Sequence, residues 1–160
     1  MNNYTDFRNT VLTLLKQTKY AVLSTASKDG VVSASQMCIV SQDLHVFFQA
    51  DKYFEKIKNI RENPNVALTI GRFYFKGTAY ILGHPLTHPL FIRLMKQHHL
   101  LTYENYTALP NQILVKIKLT ECRCWSLIKI NQGTEETITV LDLVKSSIRQ
   151  IKCDNLQGGY

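Results

Sequence analysis

Apolar and polar positions in this chain change their period several times, and each change marks a new element. Phe7, Val11, Leu14, Leu15 and Thr18 follow helical spacing, so 4–18 reads as an amphipathic helix. Residues 20–26 (YAVLSTA), 31–40 (VVSASQMCIV) and 44–50 (LHVFFQA) then read as strands. Ser27-Lys28-Asp29-Gly30 and Ser41-Gln42-Asp43 separate them, and Asp-Gly is a strong hairpin signal. Connections this short force an antiparallel meander. The apolar run breaks off at Gln49-Ala50-Asp51 and a short basic helix is predicted over 52–62, stopped by Pro64.

Two more strands follow at 65–71 (NVALTIG) and 73–82 (FYFKGTAYIL). The second is rich in aromatic and β-branched residues, and Gly77 inside it points to a bulge or a close backbone approach. Leu90, Phe91, Leu94 and Met95 share one side of a helix over 88–100. Residues 101–111 are polar and turn-rich. Residues 112–119 (QILVKIKL) alternate apolar with Lys116 and Lys118, and 121–130 pairs with 135–141 as a hairpin around Asn131-Gln132-Gly133. In the tail 142–160, SIRQIKC fits a strand or a helical turn, and Gly158-Gly159-Tyr160 reads as loose. Seven or eight strands with two or three flanking helices predict a mainly β fold, a closed or partly closed antiparallel β-barrel.

Length adds that 160 residues fit a single domain over 1–160, with a barrel core at about 18–130. No apolar run approaches the ~20 residues of a membrane span. The start, Met1-Asn2-Asn3-Tyr4-Thr5-Asp6, lacks the basic and apolar regions of a signal peptide, so a cytoplasmic location without membrane association is expected. The net charge of +7 favours an anionic partner. Charged residues are only 19% of the chain, no run of five basic residues occurs, and no nucleic-acid reader is recognisable. Nucleic acid is therefore not the expected partner. Cys122 and Cys124 form C-x-C without a second pair, which reads as reduced thiols on one strand face rather than a metal site.

The junction at 49–56 is suited to an anion. A helix N-terminus presents unbonded N–H groups and the positive end of the dipole. Lys52 and Lys56 are four apart and would share one helical face, while Tyr53, Ile57 and Ile60 take another. Gln49 and Asp51 add polar contacts at the helix mouth, where a phosphate could be held.

From about Thr18 to Trp125 the chain resembles the pyridoxamine 5′-phosphate oxidase-like split-barrel flavoproteins, as found in small bacterial members. FFQADKYFEKIKNIRENPNVAL and KGTAYILGHP carry the likeness. The resemblance implies a six-stranded split barrel, a homodimer, and FMN at the subunit interface. It implies that Lys56 contacts the FMN phosphate, that Gln49, Ala50 and Asp51 lie beside the flavin, and that Lys52 is a second phosphate contact. Arg72 falls near a position that meets the flavin from neighbouring strands. Trp125 resembles a late tryptophan that reaches the cofactor from the other subunit. Gln36 stands where many relatives carry a basic residue; it can hydrogen-bond but cannot neutralise a phosphate. Phe54-Glu55-Lys56 replaces the Ser-Arg-Lys of true pyridoxamine phosphate oxidases, which argues against pyridoxal phosphate synthesis.

Other chemistry is sparse. His84 and His88 have metal-ligand spacing, but Pro85 and Pro89 interrupt it, and His98-His99 point apart, so capping or surface roles are expected and no metal. Phe73, Tyr74 and Tyr80 are aromatics for core or dimer contacts. No Ser-His-Asp order, glycine-rich phosphate loop, nucleotide fingerprint or carboxylate pair assigns a catalytic residue. That poverty suits a protein whose cofactor brings the reactive atoms. The expected function is FMN binding with flavin-dependent oxidoreductase activity on an unassigned substrate; the alternative is a non-catalytic module binding or sensing flavin or haem.

Overall fold

The computed structural model describes residues 3–130 and 133–153, apart from the side chains of 128–130. Helix α1 (Tyr4–Gln17) starts at Asn3, whose Oδ1 accepts from the Asp6 N–H, and buries Phe7, Val11 and Leu15 as their spacing predicts. Strands β1 (Tyr20–Ala26) and β2 (Val32–Cys38) form the expected Asp-Gly hairpin, with Gly30 at φ 82°. The strand expected over 31–40 is in fact two. The Ile39 N–H still bonds the Lys19 carbonyl in register with β1, but there the pairing ends, and β3 (Val40–Gln42) pairs with β4 (His45–Asp51) instead.

That change of partner closes the barrel. The sheet runs β2-β1-β5-β6-β7-β4-β3, with β5 at Asn65–Ile70, β6 at Phe73–Gly83 and β7 at Gln112–Ile130. Its two ends, β2 and β3, are halves of one kinked segment, so the sheet curls onto itself. All its pairings are antiparallel. Beyond the barrel, the far half of β7 pairs with β8 (Gly133–Asp142), and β8 with β9 (Ser147–Lys152).

The strands expected at 112–119 and 121–130 are thus one 19-residue strand. The polar Thr120-Glu121 step suggested a break; β7 continues across it because β6 and β8 pair on either side there. SIRQIK resolves as strand β9. Asn131, Gln132 and 154–160 lie outside the described residues, so the hairpin tip and the terminal Gly-Gly-Tyr are not placed.

Alternation along β4 divides the core. Phe48 points into the barrel with Leu68, Phe75, Val115 and Ile117, joined by Phe7, Val11 and Leu15 of α1 and by Ile57 and Ile60. Phe47 points outward and packs with Phe91 and Met95 of α3 (Pro89–His98) and with Leu114. The apolar run at 46–48 is a strand buried on both faces. Gly77 does what its place in an aromatic strand predicted: the β6–β7 register shifts between Lys76 and Gly77, and a Cβ there would lie 2.7 Å from Ile117 Cγ2 and 2.8 Å from the Lys118 carbonyl oxygen. Residues 101–111 are more regular than expected, with a single turn α4 (Leu100–Thr102) leading into a π-helical turn, Tyr103–Thr107. No helix among the described residues is long and apolar enough to cross a membrane.

Candidate functional site

A cleft of about 390 Å³ opens outside the barrel, between the ends of β2 and β4 and the segment that leads into β7. Gln36, Gln49, Ala50 and Asp51 line it, with Cys38, Phe54, Tyr106 and Gln112. Ala50 sends its methyl into the barrel core, so Gln49 and Asp51 supply the polar side chains of that strand end. Asp51 organises the turn that follows. Its Oδ1 accepts the Tyr53 N–H at 2.9 Å and its carbonyl accepts the Phe54 N–H at 3.1 Å. The Gln49 Oε1 is buried without a hydrogen-bond donor.

Helix α2 (Glu55–Glu62) begins three residues later than the sequence pattern suggested, because this turn occupies 51–54. Lys52 therefore precedes the helix and does not share a helical face with Lys56. Its N–H goes to the Asn111 carbonyl, and its Nζ lies 5.1 Å from the Tyr53 ring centroid. Phe54 is the N-cap and offers no side-chain cap. The Ile57 and Lys58 N–H groups bond to its carbonyl, leaving those of Glu55 and Lys56 without an acceptor among the described residues.

Lys56 sits in this first turn, where a cation opposes the helix dipole. Its Nζ lies 5.2 Å from the ring centroid of Phe54, a wall of the cleft, but neither Lys56 nor Lys52 is itself among the residues lining it. Burial holds the Lys56 pKa below the usual lysine value. Glu55 is exposed to solvent. Behind the turn, Ile57 and Ile60 anchor α2 in the core and Asn59 ties it to the barrel wall. Asn59 Nδ2 donates to Thr25 Oγ1 at 3.1 Å and to Ser33 Oγ at 3.3 Å, and those two hydroxyls are 3.1 Å apart.

Arg72 and Trp125 belong to a different cleft of about 360 Å³, shared with Tyr74, Lys76, Arg123 and Ile138. Glu121 holds its cations, at 2.8 Å from Arg123 Nε and 3.4 Å from Lys76 Nζ. The Arg123 guanidinium lies 5.6 Å from the Tyr74 ring. Burial pushes the Glu121 pKa up, but the two cations outweigh it and the net shift is down. Trp125 is 43% exposed. Gln112 and Trp125 stand 13 residues apart on β7, roughly 40 Å of strand. Gln36, Gln49, Ala50 and Asp51 thus line one cleft and Arg72 and Trp125 another, while Lys52 and Lys56 line neither.

Sequence reasoning missed Gln112, Tyr106, Lys76, Glu121 and Arg123. The last three were open to a cross-strand argument, since β6 and β7 pair Tyr74 with Arg123 and Lys76 with Glu121. Gln112 and Tyr106 reach the first cleft only through a long connection and carry no local signal. Of the histidines expected to cap or to lie at the surface, His84 caps, whereas His99 is buried. His84 Nδ1 accepts from the Leu86 N–H while its Nε2 meets the Leu109 carbonyl, His88 meets the Leu82 carbonyl, and buried His99 the Ile39 carbonyl. No group of three or more potential metal ligands occurs among the described residues. The four cysteines form no disulfide, and burial raises the pKa of Cys122 and Cys124, which both face the interior.

Residues 7–126, which span the whole barrel and both clefts up to Trp125, match the model of the pyridoxamine 5′-phosphate oxidase family. The chain belongs to the pyridoxamine 5′-phosphate oxidase family. Solved structures of similar fold include ChuZ from Campylobacter jejuni, with a TM-score of 0.71 and 12% identity over all of this chain and 68% of that one. The haem-storage protein HutZ from Vibrio cholerae gives 0.58 and 14%, over 69% of this chain and 88% of its own. An FAD-binding protein from Mesorhizobium loti gives 0.53 and 17%, over 69% and 87%. At such identities the likeness is one of fold, and it fits this member of the pyridoxamine 5′-phosphate oxidase family to the antiparallel split barrel. Among curated protein sequences none matches it.

Proposed function

We propose that the protein is a homodimeric FMN-binding flavoprotein that acts as a flavin-dependent oxidoreductase. The observation that carries this reading is the first turn of α2. Two N–H groups without acceptors and a half-buried lysine set against the dipole follow directly on Phe54, a wall of the first cleft. Each is unfavourable alone, and a dianionic phosphate relieves both. Lys56 and the Glu55 and Lys56 N–H groups would hold the FMN phosphate, with Lys52 nearby. Gln36, Gln49, Ala50 and Asp51 would line the ring. When bound, the flavin supplies hydride or electron transfer.

The second cleft supports the dimer. A flavin held at the Lys56 turn is far shorter than the strand between Gln112 and Trp125, so Arg72 and Trp125 would reach it only from a partner protomer. The exposed Trp125, Tyr20, Val22 and Tyr80 side chains are apolar surface that such an interface would cover. A haem-binding module is the second reading. It is favoured by the second cleft, where cations beside an exposed indole complement a flat ring bearing acid groups.

Titration of FMN and of phosphate-free riboflavin into wild type and Lys56→Ala tests the proposal. The wild type is expected to prefer FMN, and the variant to bind FMN about tenfold or more weaker while riboflavin binding stays unchanged. Unchanged FMN affinity in the variant removes the phosphate assignment. An absorbance spectrum of the purified protein separates flavin from haem, and light scattering gives the oligomeric state.

A further inference from the structure

Three glutamines converge on the first cleft from three strands: Gln36 on β2, Gln49 on β4 and Gln112 on β7. None of their carboxamides hydrogen-bonds to another described residue, and the Gln49 carbonyl is sealed from solvent as well. A carboxamide has a donor end and an acceptor end. Leaving a buried one unmatched is costly, and among the three that applies to the Gln49 carbonyl, while Gln36 is exposed. Gln49 and Gln112 are diagonal neighbours in the β4–β7 register, on one face of the sheet. Asp51 has one carboxylate oxygen engaged by the Tyr53 N–H, and no lysine or arginine is among the residues lining the cleft. Apart from Asp51, the polar side chains of that wall are neutral.

A ligand complementary to that wall has an uncharged edge alternating carbonyl and N–H. We propose that Gln49, with Gln112 beside it, reads the imide edge of the flavin pyrimidine ring, accepting its ring N–H and donating to a flanking carbonyl. The cleft thereby selects flavin-type rings over porphyrins, whose periphery carries apolar groups and carboxylates but no N–H. This rests on the flavin reading above and adds to it a residue that determines specificity. The Gln49 amide turns its carbonyl toward the ligand on binding, which relieves the unmatched acceptor.

The test uses the full chain with three probes: FMN, its N3-methyl derivative, which lacks the imide N–H, and hemin. Flavin fluorescence quenching and the hemin Soret band give the dissociation constants. Wild type is expected to bind FMN about tenfold tighter than N3-methyl-FMN, and Gln49→Leu to bring the two within about twofold. Lys56→Ala weakens both flavins alike and keeps the ratio. Because the ratio is read within each variant, a general loss of affinity or folding does not imitate the effect. If wild type binds both flavins equally, or Gln49→Leu keeps the full ratio, the glutamine reading falls while flavin binding stands. If FMN does not bind, both readings fall. Hemin bound more tightly than FMN by wild type overturns the selectivity.

Discussion

Replacing Asn59 by alanine probes how the helix that carries Lys56 is held. Asn59 is 2% exposed, and its Nδ2 makes two hydrogen bonds across to the β1–β2 hairpin, to Thr25 and Ser33. Neutral bonds of this kind contribute about 1 kcal/mol each, so their loss costs about 2 kcal/mol. The two hydroxyls keep each other at 3.1 Å, so neither is orphaned and the cost does not rise to that of a buried unmatched group. For a chain of this length 2 kcal/mol lowers Tm by about 4–8 °C. Differential scanning calorimetry reads the shift. Lys58→Ala, on the exposed side of the same helix, is the control and should stay within about 0.5 kcal/mol. A cycle with Ser33→Ala isolates the pair and should return a coupling of about 0.5–1 kcal/mol. An Asn59→Ala protein that melts within a degree of wild type, or a cycle without coupling, refutes the claim that these bonds pin α2 to the wall.

Three further outcomes follow from the geometry. Gly77→Ala drives a methyl into the β7 backbone at 2.8 Å and should cost about 2 kcal/mol or more, measured by urea unfolding. In the absence of ligand, Lys56→Met should raise Tm at neutral pH. The folded pKa of Lys56 lies below its unfolded value near 10.5, so the folded state binds fewer protons and wild-type stability climbs as pH rises through that window. The advantage of the methionine variant should accordingly shrink toward pH 10, in a series of melts. The Glu121 pKa is lowered too, but for a carboxylate that favours the charged form. Its stabilisation is complete above the ordinary glutamate pKa near 4.5 and is lost as pH falls through the lower folded value, so the stability gap between wild type and Glu121→Gln should narrow from pH 6 to pH 3.

The barrel was legible because its strands carry their instructions locally. Alternation, the Asp-Gly turn and the aromatic run at 73–82 suffice for β1, β2, β5 and β6. Errors came where a neighbour outvotes the local pattern. Ile39 is apolar like the strand around it, and only the change of partner from β1 to β4 reveals the division. Lys52 has helical spacing from Lys56, yet the Asp51 turn claims it first. The same limit applied to the site. The run 49–51 and Lys56 are close in sequence and could be read together, whereas the partners of Arg72 come from β7 and β8, some fifty residues or more downstream. Tertiary pairing, not periodicity, decides that neighbourhood.

The route by which the barrel closes has a consequence for biosynthesis. β4 emerges from the ribosome early, but its long partner β7 is encoded more than sixty residues later. At typical elongation rates that is a wait of roughly 3–14 s. Meanwhile Val46, Phe47 and Phe48 sit in a nascent sheet with one side unzipped. Chaperone dependence and misassembly during expression should therefore concentrate on chains stalled before residue 112, and released fragments ending there should be the sticky ones.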